Sequence, residues 1–599
     1  MLFALAALLL GAGGLAAQDA PRPSETLPPA LAWDGASRAL VVREDDSWIT
    51  PSEASGLTRT PRYDDTVAWL ERLCSAAPEL EMIALGQSPE GRSIWMVVAS
   101  SDLVFTPEAL LATGKPTLLA QAGIHAGEID GKDAGLMLLR DLSVRGTKRE
   151  LLEAVNFLFV PIFNVDGHER FSEWSRINQR GPIASGWRTN SRNLNLNRDY
   201  AKLDTPEMRH MLRMINAWQP DLYLDLHVTD GADYQYDITW GGNGAHGHSP
   251  AIDRWIEREL TTALKRDLQA MGHVPGPLVF ADDARDIHKG ITFWTSTPRY
   301  SGGYGDARRL PTVLVENHSL KPYDQRVLGT YVLLESSMRT LAHKGGGLRR
   351  AVRRDRERRP REVPLEWRVA QGEPPKIDFL GVESRLHLSP YSGTLQLEYT
   401  GKPIELSIPY LQRTEPAHTV QRPDAYWIPP AWPEVIERLA LHGIEMETLE
   451  AWREVDVGMY RILEWELGAE PYEGHVRVTP SVRLEQRRER FPPGSVRIAT
   501  DQPLGDLAIL LLEPQSPDSF FQWGFFIEVL QRTEYAEAYV LERLAEQMLA
   551  RDPELRATFE QRLLQDEAFA ADPKARLRWF YERTPYFDSR WRLYPVARE

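Results

Sequence analysis

The sequence predicts an α/β domain, a mixed and mostly parallel twisted sheet with helices on both faces, followed by a β-rich and then a helical C-terminal region. Three observations lead there. Apolar β-type runs alternate with helix-spaced segments through the first half of the chain, the pattern of βαβ units. Beyond a basic stretch the texture changes to alternating segments such as "RLHLSPYSGTLQLEYT" and "HVRVTPSVRLEQ", separated by proline-rich turns such as "IPPAWP". The last part, with "AYVLERLAEQMLARD" and "ELRATFEQRLLQ", returns to helical spacing.

In chain order, "MLFALAALLLGAGGLAA" (1–17) comes first. It is short for a spanning helix and ends in small residues, so it is expected to be a signal peptide cut near Ala17, with no stable membrane span left after its removal. No Lys or Arg follows the amino terminus in it, which keeps a retained anchor open. The expected location is therefore exported, periplasmic or secreted. Residues 55–345 form the expected first domain. "SIWMVVAS" (93–100), "PTLLAQAGI" (116–124), "VNFLFVPIF" (155–163), "DLYLDLH" (221–227) and "TVLVE" (312–316) read as strands, and "GKDAGLMLLRDLS" (131–143) and "TPEMRHMLRMINAW" (205–218) as helices. "LRRAVRRDRERRPREVP" falls in an expected basic linker over 346–370, with phosphate or membrane-surface binding as its sharper alternative. A β-rich accessory domain over 371–515 and a helical region over 516–599 complete the chain. Within the latter, "SFFQWGFF" (519–526) reads as accessory core or as a cover over a cleft.

Composition bounds the function. A chain of 599 residues needs two or three domains, and 42% apolar with 26% charged residues is a globular balance. The net charge of -15 argues against nucleic acid, whose phosphates are bound by Lys and Arg. The single cysteine, Cys74, excludes an intramolecular disulfide.

The chemistry starts at "AGIHAGEIDG" (122–131). His-x-x-Glu alone is a weak signal, but His125 ends an apolar strand and Glu128 begins the turn into a helix. A second strand ends in His227 and a third in Glu316. Open α/β sheets bind ligands outside the carboxyl ends of their strands, so three strands deliver metal-competent or basic groups to one edge. Two histidines and a carboxylate make a three-ligand zinc site with an open fourth position, and a further carboxylate, for which Glu316 is suited, can carry the proton.

Here the sequence resembles the zinc metallocarboxypeptidases, the group typified by the pancreatic digestive enzymes. The resemblance runs from "LGQSPEGRSIWMV" through "HAGE", "NVDGHE", "NLNRDY" and "LHVTDG" to "TVLVENHSL". It implies one zinc ion per chain on His125, Glu128 and His227, with Glu316 as general base. It also implies a grip on the substrate's terminal carboxylate by Asn197 and Arg198, and Arg188 as the group that polarises the scissile carbonyl, ahead of Arg180 and Arg192. Guanidinium suits both tasks because it is always charged and pairs bidentately with carboxylates. The implied substrate is a peptide with a free C-terminus. One departure stands out: an aspartate expected behind the first zinc histidine is Asn195 here. Asp225, two residues before His227, is another group that could orient an imidazole.

For the family's mobile substrate-binding tyrosine, "PRYSGGYGDARR" (298–309) offers Tyr300, preferred, and Tyr304, in what reads as a glycine-rich moving loop. His246 and His248 in "GGNGAHGHS" (241–249) lack a third ligand and read as a flexible loop on the cleft rim. Two rivals stay open: an amide hydrolase of the same fold acting on cell-wall peptides or acyl-amino acids, and a non-catalytic peptide-binding protein. The sequence does not indicate an oligomeric state.

Overall fold

The computed structural model describes residues 23–599, so the expected signal peptide lies outside the described residues. The candidate site is carried by an eight-stranded sheet of β1 (Leu80–Gln87), β2 (Ser93–Ala99), β3 (Thr117–Ala122), β4 (Asn156–Val160), β5 (Leu222–Val228), β6 (Ile238–Gly241), β7 (Pro275–Pro277) and β8 (Thr312–Asn317). Their spatial order is β1-β2-β4-β3-β5-β8-β6-β7. The central run β4-β3-β5-β8 is parallel, and β1-β2, β2-β4 and β8-β6 are antiparallel. Every residue of β3, β4 and β5 is buried, as befits parallel strands covered on both faces.

Strand periodicity then divides the residues into two sets. Leu118, Ala120, Leu222, Leu224, Val313 and Val315 join the main core, together with Leu136 and Leu139 of helix α1 (Asp130–Leu142). The alternate set, Gln121, Asp225, His227 and Glu316, looks the other way and is polar. In register, Gln121 sits beside Asp225 and His227 beside Glu316. One face of the sheet belongs to the main core, and the other carries these polar groups beside buried residues such as Leu119 and Tyr223.

The helices fit closely. A Cβ on Gly135 of α1 would lie 2.1 Å from the Phe159 ring, which explains a glycine in mid-helix. Truncating Phe159 to Ala would cost ~3–5 kcal/mol. Helix α2 (Pro206–Trp218) starts from Thr205, whose side chain caps the Met208 N–H.

The expected linker over 346–370 is not a linker. Residues through Arg356 belong to a 34-residue helix, Tyr323–Arg356, and Glu362–Arg368 is a strand paired with Glu415–Gln421. Arg350, Arg353, Arg354, Arg356 and Arg358 stay exposed, but other residues of the stretch are held. Arg349 clasps Asp221 with two nitrogens at 2.6 and 2.9 Å, and the same helix's Asp355 caps the helix Pro250–Trp255 by accepting from the Ala251 and Ile252 N–H groups. The glycines do not break the helix because Gly345 packs against Pro116, 3.2 Å from where a Cβ would stand.

The described chain divides into two compact units. The first runs to Gln421 and also takes in Leu441–Gly443 and Gln502–Leu507; the second holds Arg422–Ala440, Ile444–Asp501 and Ala508–Glu599. The second unit has a six-stranded sheet that includes the C-terminal strand Leu593–Arg598, so the last region is helical only over part of its length. Phe520, Phe521, Trp523 and Phe526 of the aromatic run are buried there, as core. Among the described residues no helix is long and apolar enough to cross a membrane. Cys74 is half-buried, and burial pushes its thiol up to about 12.

Candidate active site

β3 ends at Ala122, and Gly123 turns the chain with φ +69°, a conformation that favours glycine. The turn presents His125, and the Glu128 N–H closes back on the His125 carbonyl at 2.9 Å just before α1 begins. Neighbouring β5 brings His227 to the same edge. The His125 Nδ1 lies 3.1 Å from Glu128 Oε1, His227 Nδ1 lies 3.0 Å from Glu128 Oε2, and the two Nδ1 atoms are 3.2 Å apart. Zinc with bonds of ~2.0–2.1 Å in a tetrahedron needs ligand atoms about 3.3 Å apart, so this donor set fits the ion. Among the described residues it is the one cluster of three His, Cys, Asp or Glu side chains whose ligand atoms converge, all within 4.8 Å of one another.

The outward nitrogens are anchored. His125 Nε2 lies 2.9 Å from Asn195 Oδ1, and His227 Nε2 lies 2.9 Å from Asp225 Oδ2 and 3.3 Å from Asn197 Nδ2. The amide oxygen on His125 Nε2 fixes the proton there and leaves Nδ1 as the lone-pair side, and the Asp225 carboxylate stands at ion-pair distance behind His227 Nε2. The sequence offered Asn195 and Asp225 for this duty, and the structure assigns one to each histidine.

The electrostatics differ between the two rings. Burial pushes the His125 pKa down to about 4, so it is neutral and ready to ligate. Burial acts the same way on His227, but Asp225 and Glu128 outweigh it and raise its pKa well above the ordinary imidazole value. Metal binding there must displace a proton. Burial opposes the charged form of Glu128 too, yet His125 and Arg176 hold it well below the usual carboxylate range. Glu316 lies beside His227 in register and is half-buried; removal from water raises its pKa to about 8, and its Oε2 is buried without a hydrogen-bond partner. A divalent cation among the three ligands acts in the opposite direction and lowers it.

Two arginines share one oxygen: Arg176 Nη1 and Arg188 Nη1 both donate to Glu128 Oε1 at 3.0 Å. Arg188 was expected nearby. Arg176 was not, and the signal that could have found it is Gly127. A Cβ there would stand 2.4 Å from Arg176 Cδ, so only glycine lets that side chain pass to Glu128. Arg180 is occupied elsewhere, on the carbonyls of Leu320 and Pro28.

Asn197 and Arg198 lie on the tight turn Leu196–Arg198. Asn197 Oδ1 accepts from the Ser301 N–H at 3.4 Å, and the Arg198 guanidinium stands 4.3 Å from the Tyr300 ring centre. The expected moving loop is instead a helix, α3 (Ser301–Arg308), with Tyr300 at its N-cap. Its glycines serve close packing: a Cβ on Gly303 would meet the Thr297 carbonyl at 2.2 Å, and one on Gly305 the Thr312 hydroxyl at 2.1 Å. Tyr304 is buried, with its hydroxyl engaged by Arg308 and His442, which leaves Tyr300 as the tyrosine beside Arg198. His246 and His248 do not lie in a free loop either. His246 bonds the Thr295 hydroxyl at 2.6 Å, and buried His248 lies 3.3 Å from Asp506.

Part of the chain is similar to known proteins. Residues 66–274 match the family model described as zinc carboxypeptidase. The match ends before Tyr300 and Glu316. "Carboxypeptidase 2" of Trichophyton rubrum is 24% identical over 490 residues, 78% of this chain and 84% of its own, and its namesake in Trichophyton tonsurans is 24% identical over 461 residues, 73% and 79%. Among solved structures, a putative carboxypeptidase from Burkholderia mallei is similar at a TM-score of 0.35, with 17% identity over 47% of this chain and 67% of its own.

Proposed function

We propose that this chain, whose residues 66–274 match the zinc carboxypeptidase family model, is a metallocarboxypeptidase that removes C-terminal residues from peptides using His125, Glu128 and His227 as zinc ligands and Glu316 as general base. The observation that carries this reading is the convergence of two anchored imidazoles and one carboxylate at near-tetrahedral separations, with a buried, unpartnered Glu316 oxygen beside them. Zinc bound there supplies a Lewis acid toward a carbonyl oxygen and toward water.

The chain's own residues do the rest. Glu316 takes a proton from the attacking water and passes it to the departing amine. Arg188, 41% exposed at its side chain and anchored on Glu128, is the guanidinium free enough to turn toward a scissile carbonyl. Asn197 and Arg198 receive the terminal carboxylate, and Tyr300 closes over it. Asn195 and Asp225 keep the two imidazoles turned to the ion. Export belongs to the same reading and rests on the leader-like residues 1–17; N-terminal sequencing of the mature protein is expected to start just after Ala17.

The test is a pair of peptides that differ only in a free or amidated C-terminus. Amidation leaves a guanidinium without its anion, so kcat/KM is expected to fall by ~10²-fold or more. Equal rates on both would favour an amide hydrolase of the same fold. Tight binding with no turnover of either would favour the peptide-binding rival.

A further inference from the structure

Two short stretches beyond residue 421, Leu441–Gly443 and Gln502–Leu507, fold into the first compact unit. Each delivers one buried polar side chain to the surroundings of α3. His442 is fully buried, with Nδ1 2.9 Å from the Tyr304 hydroxyl and Nε2 3.0 Å from the Ala201 carbonyl oxygen. A carbonyl only accepts, so Nε2 holds the proton and Nδ1 accepts from Tyr304. The Tyr304 hydroxyl in turn accepts from Arg308 at 3.0 Å.

The two partners of this one ring belong to different segments. Ala201 follows closely on Asn197 and Arg198, and Tyr304 is one helical turn past Tyr300. His442 therefore bridges the strand of chain that carries the expected carboxylate grip to the helix that begins at Tyr300. Asp506 acts at the far end of the same helix. It pairs with Arg309, the residue with φ +65° that terminates α3, and both side chains are buried. At the near end the Ser301 N–H donates to Asn197, and Arg198 stands over the Tyr300 ring. An eight-residue helix fastened at both ends holds its first residue in place.

We infer that His442 and Asp506 are positioning residues for Arg198 and Tyr300, so that chain from beyond the expected catalytic domain sets the geometry of substrate recognition. The inference rests on the proposed role of Arg198 and Tyr300 in holding a C-terminal carboxylate. Neither side chain touches the candidate metal ligands, so their loss is expected to act on binding rather than on the metal.

The experiment uses the full-length chain with His442→Phe, His442→Asn and Asp506→Asn, measuring zinc content, thermal unfolding, and kcat and KM on the free and amidated peptides. His442→Phe is expected to raise KM for the free peptide about tenfold while the amidated peptide changes by less than about threefold. His442→Asn, which can still accept from Tyr304, is expected to recover most of that loss, and Asp506→Asn to move in the same direction as His442→Phe. An unchanged preference for the free C-terminus in folded, zinc-loaded variants would overturn the inference. So would a loss equal on both peptides that follows thermal stability, because that is a purely structural effect. Should His442→Phe not fold, His442→Asn and Asp506→Asn decide, and a preference equal to the parent's in both overturns it. A parent chain with no such preference refutes the underlying reading instead, before any variant is made.

Discussion

Two histidine pairs in the first unit received opposite fates. His125 and His227 are far apart in sequence, and His246 and His248 are separated by one residue. The distant pair meets, with Nδ1 atoms 3.2 Å apart and a carboxylate between them. The close pair does not. His246 turns to Thr295, with its ring edge-on to Phe293 and Trp367, while His248 turns to Asp506. Another acid of the same surroundings, Asp306, is committed to the His248 and Ser249 N–H groups and to Asn243. His227 stands on a parallel strand and His125 on the turn just past one, which brings the distant pair together, whereas closeness along a loop does not bring His246 and His248 together. A strand end fixes where a side chain points, and an anchored Nε2 fixes which nitrogen faces inward.

Mutation breaks or confirms that contrast most directly. His125→Ala and His227→Ala are each expected to lose bound zinc and, with it, nearly all peptidase activity, because two remaining protein ligands hold the ion poorly. His246→Ala and His248→Ala are expected to keep about one zinc per chain. Elemental analysis of the four purified variants is the measurement, and zinc retained in the first two but lost in the second two would reverse the assignment.

A smaller effect separates ligand from base on the same sheet edge. Glu316 and His227 are partners in register, yet only His227 belongs to the converging set. Glu316→Gln is expected to keep its zinc, fold and substrate affinity while kcat falls by at least ~100-fold. Loss of metal from this variant would make Glu316 a ligand, and unchanged turnover would leave the mechanism without its base.

The sheet's two-residue period made much of this legible. Strand ends carrying His125, His227 and Glu316 could be read because apolar runs and their terminal polar residues are local features of sequence. The sheet's central strands were read for the same reason. What depended on tertiary packing was less visible. The basic run at 346–370 carries the charge of a solvated linker, but each of Arg349 and Asp355 finds a partner more than a hundred positions away. The glycines of "SGGYG" suggest mobility, yet they are small because Thr297 and Thr312 press against the helix. Arg176 escaped notice since its one mark in the sequence, Gly127, stands beside Glu128, 48 positions from the arginine itself. The division of the chain was least accessible, because residues 441–443 and 502–507 join the first unit only through folded contacts.

The smallest predicted effect sharpens the difference between the two metal-facing imidazoles themselves. His227 is backed by a carboxylate, Asp225, and His125 by an amide, Asn195. A carboxylate behind a ligating imidazole raises its basicity, and changing such a partner typically alters metal affinity or activity ~10–100-fold. Asn195→Asp keeps the oxygen that faces His125 Nε2 and can still accept the Asn197 N–H that Asn195 now takes at 3.0 Å. Against this stands the cost of burying another negative charge near Glu128. With a dication bound, attraction to the metal exceeds that repulsion, since the site's own carboxylate is already neutralised by Arg176 and Arg188. Asn195→Asp is therefore expected to hold zinc about tenfold more tightly, at the low end of that range. Competition against a chelator of known affinity measures it. Weaker binding would mean that burial outweighs basicity at this position, and that the amide behind His125 is the better partner in this pocket.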